Sequence, residues 1–280
     1  MPKVPVKTAL PVTPRVRRGY FECRYGQLHV HNAIPPGGGF DEGISLLCLH
    51  ATPRSGRSLL PLLEIMGMDR SVYAPDLPGF GNSDPPPGRP AIADYVDAVS
   101  DFCISMRFRQ IDVLGYQTGA LVGAELALGL PTVVRRLVLA GVPAPDESER
   151  ESFRRAPWPL AAVADGSHLQ VEWNRTRTSV HQDAPVATIA AGFADKLANG
   201  PTAWWGLNAA MQYPAAERLR LITQPTLLMR SRDGRDLDSG RARELLPKAR
   251  VVEQAEVFGS DLFESAATPV STVLREFLRA

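Results

Sequence analysis

The stretch VLGYQTGA, Val113 to Ala120, decides how the rest of the chain is read. It closes an apolar run that opens at Ile111 and leads into Leu121, Ala124 and Leu128, which recur at helical spacing. Strand, tight turn and helix therefore follow one another with no linker between them. Gly115 and Gly119 bracket Gln117 at two residues on either side, and glycines so placed suit close backbone packing on both sides of a turn.

Outward from this unit the same grammar repeats. Ile44 to His50, Ser71 to Pro75, Arg136 to Gly141 and Thr226 to Arg230 are short apolar runs, the pattern of strands covered on both faces. Ile92, Val96, Val99, Phe102 and Met106 form one helical stripe; Val270, Val273, Leu274, Phe277 and Leu278 form a closing one. Strand alternating with helix predicts a mostly parallel, doubly wound α/β sheet covered on both faces, because parallel neighbours need crossover connections. GYFECRYGQLHVHNAI, from Gly19, predicts two short antiparallel strands about a turn near Gly26.

Two segments break the alternation. Residues 1–18 are proline-rich and basic with no acid, which predicts an extended arm. Residues 146–218 read as helical throughout and predict a cap inserted into a core made of 19–145 and 219–280. Val186, Ile189, Phe193 and Leu197 make one face there, and Trp173, Trp204, Trp205 and Tyr213 add large rings. Such rings either line a pocket under the cap or pack the cap onto the core.

Composition narrows the partners. At 280 residues, 44% hydrophobic and 22% charged, the chain has enough apolar side chain for a large core. A formal net charge of +1 gives no field to hold nucleic acid or an anionic membrane, so a small-molecule ligand is the expected partner, with the oligomeric state open. Cys23, Cys48 and Cys103 are widely spaced and offer neither a disulfide framework nor a metal site. No metal and no cofactor is expected. No apolar stretch approaches the ~20 residues of a membrane span, and the N-terminus lacks a secretory h-region, which together predict a cytoplasmic protein.

From Gly19 to Ala280 the chain resembles the α/β-hydrolases of the cap-bearing class, relatives of esterases, haloalkane dehalogenases and epoxide hydrolases. LLCLHATP resembles that family's strand ending in His-Gly, YAPDLPGFGNSD its PDxxGxGxS segment, VLGYQTGA its GxSxG nucleophile elbow, and PTLLMRSRDGRD the strand that delivers the acid. The resemblance implies an α/β-hydrolase fold with Gln117 at the nucleophile position and Asp233 at the acid. It puts Ser260, in FGSD, where the family has histidine. The oxyanion-hole donors become the backbone N–H groups of Thr52 and Thr118.

The chemistry checks independently. An amide is neither anionic nor deprotonable, so Gln117 forms no acyl-enzyme. No other GxSxG occurs, and none of the five histidines follows His181. Conventional serine hydrolysis is therefore not expected, although an oxyanion hole without a triad can retain roughly 10³- to 10⁴-fold acceleration over water. His50 is either a base or a brace for the oxyanion loop. Asp233 either activates water or pairs a neighbouring arginine. Thr118 is a poor nucleophile because its hydroxyl faces the helix start, Asp76 is expected to satisfy a turn, and His168 and His181 lie in the cap. Three readings follow: an atypical hydrolase, lyase or isomerase acting on a carbonyl compound, with Gln117 and the cap tryptophans Trp204 and Trp205 at the site; a non-catalytic small-molecule-binding or regulatory pseudo-hydrolase; and an interaction protein with a vestigial pocket.

Overall fold

The computed structural model describes residues 13–36, 43–156, 158, 161–178, 184–229, 236–252, 263–264 and 266–279. Its strands are β1 (Arg15–Cys23), β2 (Gly26–Ile34), β3 (Gly43–Leu49), β4 (Arg70–Pro75), β5 (Ile111–Tyr116), β6 (Val134–Ala140), β7 (Thr226–Met229) and β8 (Arg250–Val252). They form one sheet of order β1-β2-β4-β3-β5-β6-β7-β8. The pairs β1/β2 and β2/β4 are antiparallel and every other pair is parallel. All five apolar runs are strands of this sheet, and the parallel arrangement follows from the helices that separate them.

Helices cover both faces. The core helices are α1 (Leu60–Met66), α2 (Ile92–Ser105), α3 (Thr118–Gly129), α9 (Asp236–Leu245) and α10 (Ala267–Arg279). On one face Leu47, Leu49, Val113 and Leu139 pack with Val99 and Phe102 of α2 and Leu121 of α3. On the other, Leu46, Leu114 and Val138 pack with Leu63 of α1 and with Val270 and Leu274 of α10. The side chains of Leu46 and Leu47 are fully buried and face opposite layers, the period-two geometry of a strand sandwiched between helices. Each fully buried leucine contributes about 1.5–3 kcal/mol relative to exposure.

Two boundaries differ from the sequence reading. The first strand begins at Arg15, so Arg15 to Arg18, expected in the extended arm, pair with Ile34 to His31 of β2. Arg17 and Arg18 are exposed and suit an edge strand, where basic side chains discourage pairing with another chain. β8 was not foreseen, since three residues with Arg250 at the start offer too little pattern.

Between β6 and β7 lie α4 (Glu147–Arg155), α5 (Ser167–Thr178), α6 (Val186–Ala198), α7 (Trp205–Gln212) and α8 (Ala215–Arg218), with no strand among the described residues there. Arg218 anchors the end of this insertion to α3, its Nε and Nη2 donating to Glu125 at 2.6 and 2.8 Å, while the Tyr213 hydroxyl donates to the same carboxylate at 2.8 Å. No helix among the described residues is long and apolar enough to cross a membrane.

Candidate functional site

Gln117 sits on the turn from β5 to α3 with φ 49° and ψ −116°. L side chains rarely adopt this conformation, which costs on the order of 1–3 kcal/mol and persists only where neighbours enforce it. They do so here. The Gln117 N–H donates to the Ala140 carbonyl of β6 at 2.9 Å, and its own carbonyl accepts the Ala120 N–H at 2.8 Å. A Cβ on Gly115 would lie 2.3 Å from the Gly119 carbonyl oxygen, and one on Gly119 would lie 2.2 Å from the Leu49 oxygen. The glycines therefore allow α3 to start directly against β3 and β5. The Gln117 amide nitrogen is 3.4 Å from the Tyr116 hydroxyl.

Beside Gln117 is a cavity of about 320 Å³, floored by Thr52, Gln117 and Thr118 and roofed by Trp158, Lys196 and Trp204 of the insertion. A second cavity of about 440 Å³ runs on beneath the insertion, adding His168 and Glu172 and sharing Trp158, Lys196, Ala203 and Trp204 with the first. Volumes of this order suit a small molecule. Among the described residues, the charged side chains lining the first cavity are Arg175 and Lys196, both basic.

The loop after β3 is fixed from several directions. The Thr52 and Thr118 hydroxyl oxygens are 2.8 Å apart, so the two residues that flank Gln117 are locked to one another. Thr118 opens α3, at the end of the helix where backbone N–H groups lack acceptors one turn before them. A Cβ on Gly206 would come within 2.1 Å of Thr52 Oγ1, so α7 needs glycine to reach this loop. The Asn199 side-chain amide donates to the Pro53 carbonyl at 2.7 Å, and Arg54 pairs with Asp195 and Glu264 at 3.0 and 2.6 Å. Core loop and cap helices thus hold each other.

His50 lies behind this loop, fully buried. Its Nε2 accepts the Leu77 N–H at 2.8 Å, which makes Nδ1 the protonated nitrogen, donating to the Ala51 carbonyl at 2.9 Å. Burial pushes its pKa down, and the ring is neutral near pH 7. Both ring nitrogens of His50 are thus engaged by backbone groups. Asp76 is the turn partner: its carboxylate accepts the N–H groups of Gly56 and Asn82 at 2.7 and 3.0 Å and contacts His29 Nδ1 at 2.8 Å. Although burial opposes ionisation there, these donors hold its carboxyl below the usual range. His29, His31 and Asp76 are the one group among the described residues with a metal-ligand composition, their ligand atoms lying within 4.8 Å. The donors already on Asp76 account for its carboxylate without a metal.

Of the residues singled out from sequence, Gln117, Thr52, Thr118 and Trp204 meet at one cavity. Trp205 opens α7 and lines neither cavity. His168 lines the outer one, where its Nδ1 accepts the Val163 N–H at 3.2 Å. Asp233, Ser260 and His181 lie outside the described residues. Sequence reading missed Arg175, Lys196 and Trp158 as cavity residues; α5 and α6 present basic residues at several positions, and periodicity does not say which turn inward.

The family model of the "Alpha/beta hydrolase family" matches residues 46–265. A putative carbamate hydrolase, RutD, of Yersinia enterocolitica is 32% identical over 191 residues, 64% of this chain and 66% of that protein. Curated relatives are matched over 28% to 66% of their own lengths. Among solved structures, a hydrolase from Pseudomonas aeruginosa superposes with a TM-score of 0.77 at 19% identity, covering 94% of this chain and 98% of that one. The enol-lactonase from Burkholderia xenovorans gives 0.76 at 14% identity, covering 94% and 100%. At such identities the likeness is one of fold. The family match covers most of the chain and spans the elbow, the loop after β3 and the insertion, and the chain belongs to the alpha/beta hydrolase family.

Proposed function

We propose that this hydrolase-family chain works without a serine nucleophile, acting on a small carbonyl-containing molecule beneath its cap as an atypical hydrolase, lyase or isomerase. The observation that carries the reading is the carboxamide of Gln117 on a strained elbow, lining a cavity with Thr52 and Thr118. Its NH₂ group can donate to a carbonyl oxygen but cannot attack a carbonyl carbon. Backbone N–H groups of Thr52 and Thr118 are the accompanying donors, strengthening as charge develops on that oxygen. A carbamate and an enol-lactone, named for two similar proteins, both contain such a carbonyl.

The test is turnover of a panel of esters, lactones and keto acids by purified protein, followed by proton NMR. Conversion that falls about 10²- to 10³-fold in Gln117→Leu, the scale of losing one oxyanion donor, is expected. Unchanged compounds throughout, among those that bind, contradict catalysis. One observation favours a second reading, ligand binding without turnover: among the described residues the cavity beside Gln117 is lined by no imidazole and no carboxylate. Saturable binding with no conversion supports that reading.

A further inference from the structure

Arg175 and Lys196 share one counterion. Glu172, itself buried, accepts from Arg175 Nη1 at 2.9 Å through Oε1 and pairs with Lys196 Nζ through Oε2. Asp195, the acid next to Lys196 on α6, pairs with Arg54 at 3.0 Å, and so does Glu264 at 2.6 Å. Among the described residues, two partly desolvated cations thus meet a single carboxylate at the wall of a cavity, where an unbalanced charge is costly until an anion joins it. The Arg175 guanidinium lies 5.3 Å over the Trp158 ring, which fixes its plane and leaves its edge for a planar acceptor.

Trp158 supplies an independent sign. It lines both cavities, and its indole N–H is buried with no hydrogen-bond partner among the described residues. Buried donors are nearly always satisfied, so an orphan at a cavity wall marks a place for a ligand acceptor. The remainder of the wall beside Gln117 is largely apolar, with Pro143, Leu207 and Ala210.

We infer that the cap end of this cavity is a carboxylate-binding subsite built from Arg175, Lys196 and the Trp158 N–H, and that the ligand is a carboxylate carrying a second carbonyl, such as a keto acid. The carboxylate contacts the cap and the apolar middle of the molecule rests on Pro143 and Leu207. The placement of its second carbonyl at Gln117 rests on the function proposed above; the carboxylate subsite does not.

The experiment is calorimetric titration with 4-oxo-4-phenylbutanoate and with its neutral amide, which share the ketone and differ in charge. The acid should bind wild type about tenfold tighter than the amide, as a charge-assisted pair implies. Lys196→Gln and Arg175→Gln should each weaken the acid by a larger factor than the amide, bringing the two affinities together. Lys196→Arg, which keeps the charge and the Glu172 pair, should retain it, so that loss of preference with an unaltered melting temperature reports the subsite and not the fold. Equal affinities of acid and amide for wild type, no saturable binding of the acid, or a preference that survives both glutamine variants overturns the subsite. Gln117→Leu separates the two ideas. Weaker binding of both probes, by a common factor, supports the ketone at the elbow; unchanged binding of both with the acid preference intact removes the carbonyl role of Gln117 and leaves the carboxylate subsite standing.

Discussion

Replacing Gln117 by glycine and by alanine reads the stored strain of the elbow directly. At φ 49° and ψ −116° the Cβ of any L residue is in conflict with its own backbone, at on the order of 1–3 kcal/mol. Glycine removes that conflict but loses more freedom on folding, which returns about 0.5–1 kcal/mol. Both substitutions delete the same amide contact, a 3.4 Å approach to the Tyr116 hydroxyl that is too long to matter greatly. The difference between them therefore isolates the backbone term. Gln117→Gly should exceed Gln117→Ala by about 1 kcal/mol, whereas at ordinary positions glycine is the less stable of the two. For a chain of 280 residues, 1 kcal/mol corresponds to about 2 °C in melting temperature, within reach of differential scanning calorimetry or urea titration. An alanine variant equal to or more stable than the glycine variant would refute the claim that the elbow is strained.

Other expectations concern the surroundings. Gly206→Ala places a Cβ 2.1 Å from Thr52 Oγ1, so it should destabilise by roughly 1–3 kcal/mol and weaken ligand binding; unaltered melting and binding would mean that α7 yields without cost. Asp76→Ala strands the N–H groups of Gly56 and Asn82 and the His29 ring, at about 2–4 kcal/mol in urea unfolding for several orphaned buried donors; a loss below 1 kcal/mol contradicts the part given to Asp76 in the turn. Burial lowers the pKa of His31 to about 4 from 6.5. The unfolded chain therefore gains the proton first, so the folded state keeps its full stability above pH 6.5 and loses up to about 3 kcal/mol as pH falls to 4. His31→Gln should flatten that decline, with His50, also lowered by burial, leaving a residual slope; identical slopes in urea unfolding at pH 7, 5.5 and 4 would count against it.

The parts legible in sequence were those with a strong local period. Strands such as β3 and β5, buried on both faces, could read only as apolar runs, and the glycine spacing around Gln117 pointed to the elbow because a Cβ at Gly115 or Gly119 meets backbone. Arg15 to Arg18 read as arm because they end a proline-rich, basic stretch with no acid, whereas an edge strand tolerates charge that a central one excludes. His50 was placed correctly at the end of its strand, but its tautomer and its role depend on Leu77, far along the chain, which no local pattern reveals. Arg175 and Lys196 were invisible as cavity residues for a related reason: they meet through Glu172, between two helices of a segment with little apolar periodicity on α5.

A carboxamide at residue 117 cannot attack a carbonyl carbon. Incubating the purified protein with a fluorophosphonate and recording its intact mass tests this, with Gln117→Ser/Ser260→His as the companion variant. Wild type should gain no mass and show no burst of p-nitrophenol from p-nitrophenyl acetate, whereas the variant should be labelled at residue 117 and hydrolyse the ester through an acyl-enzyme. A phosphonylated serine anywhere in the wild-type chain, with ester hydrolysis lost on labelling, would contradict it.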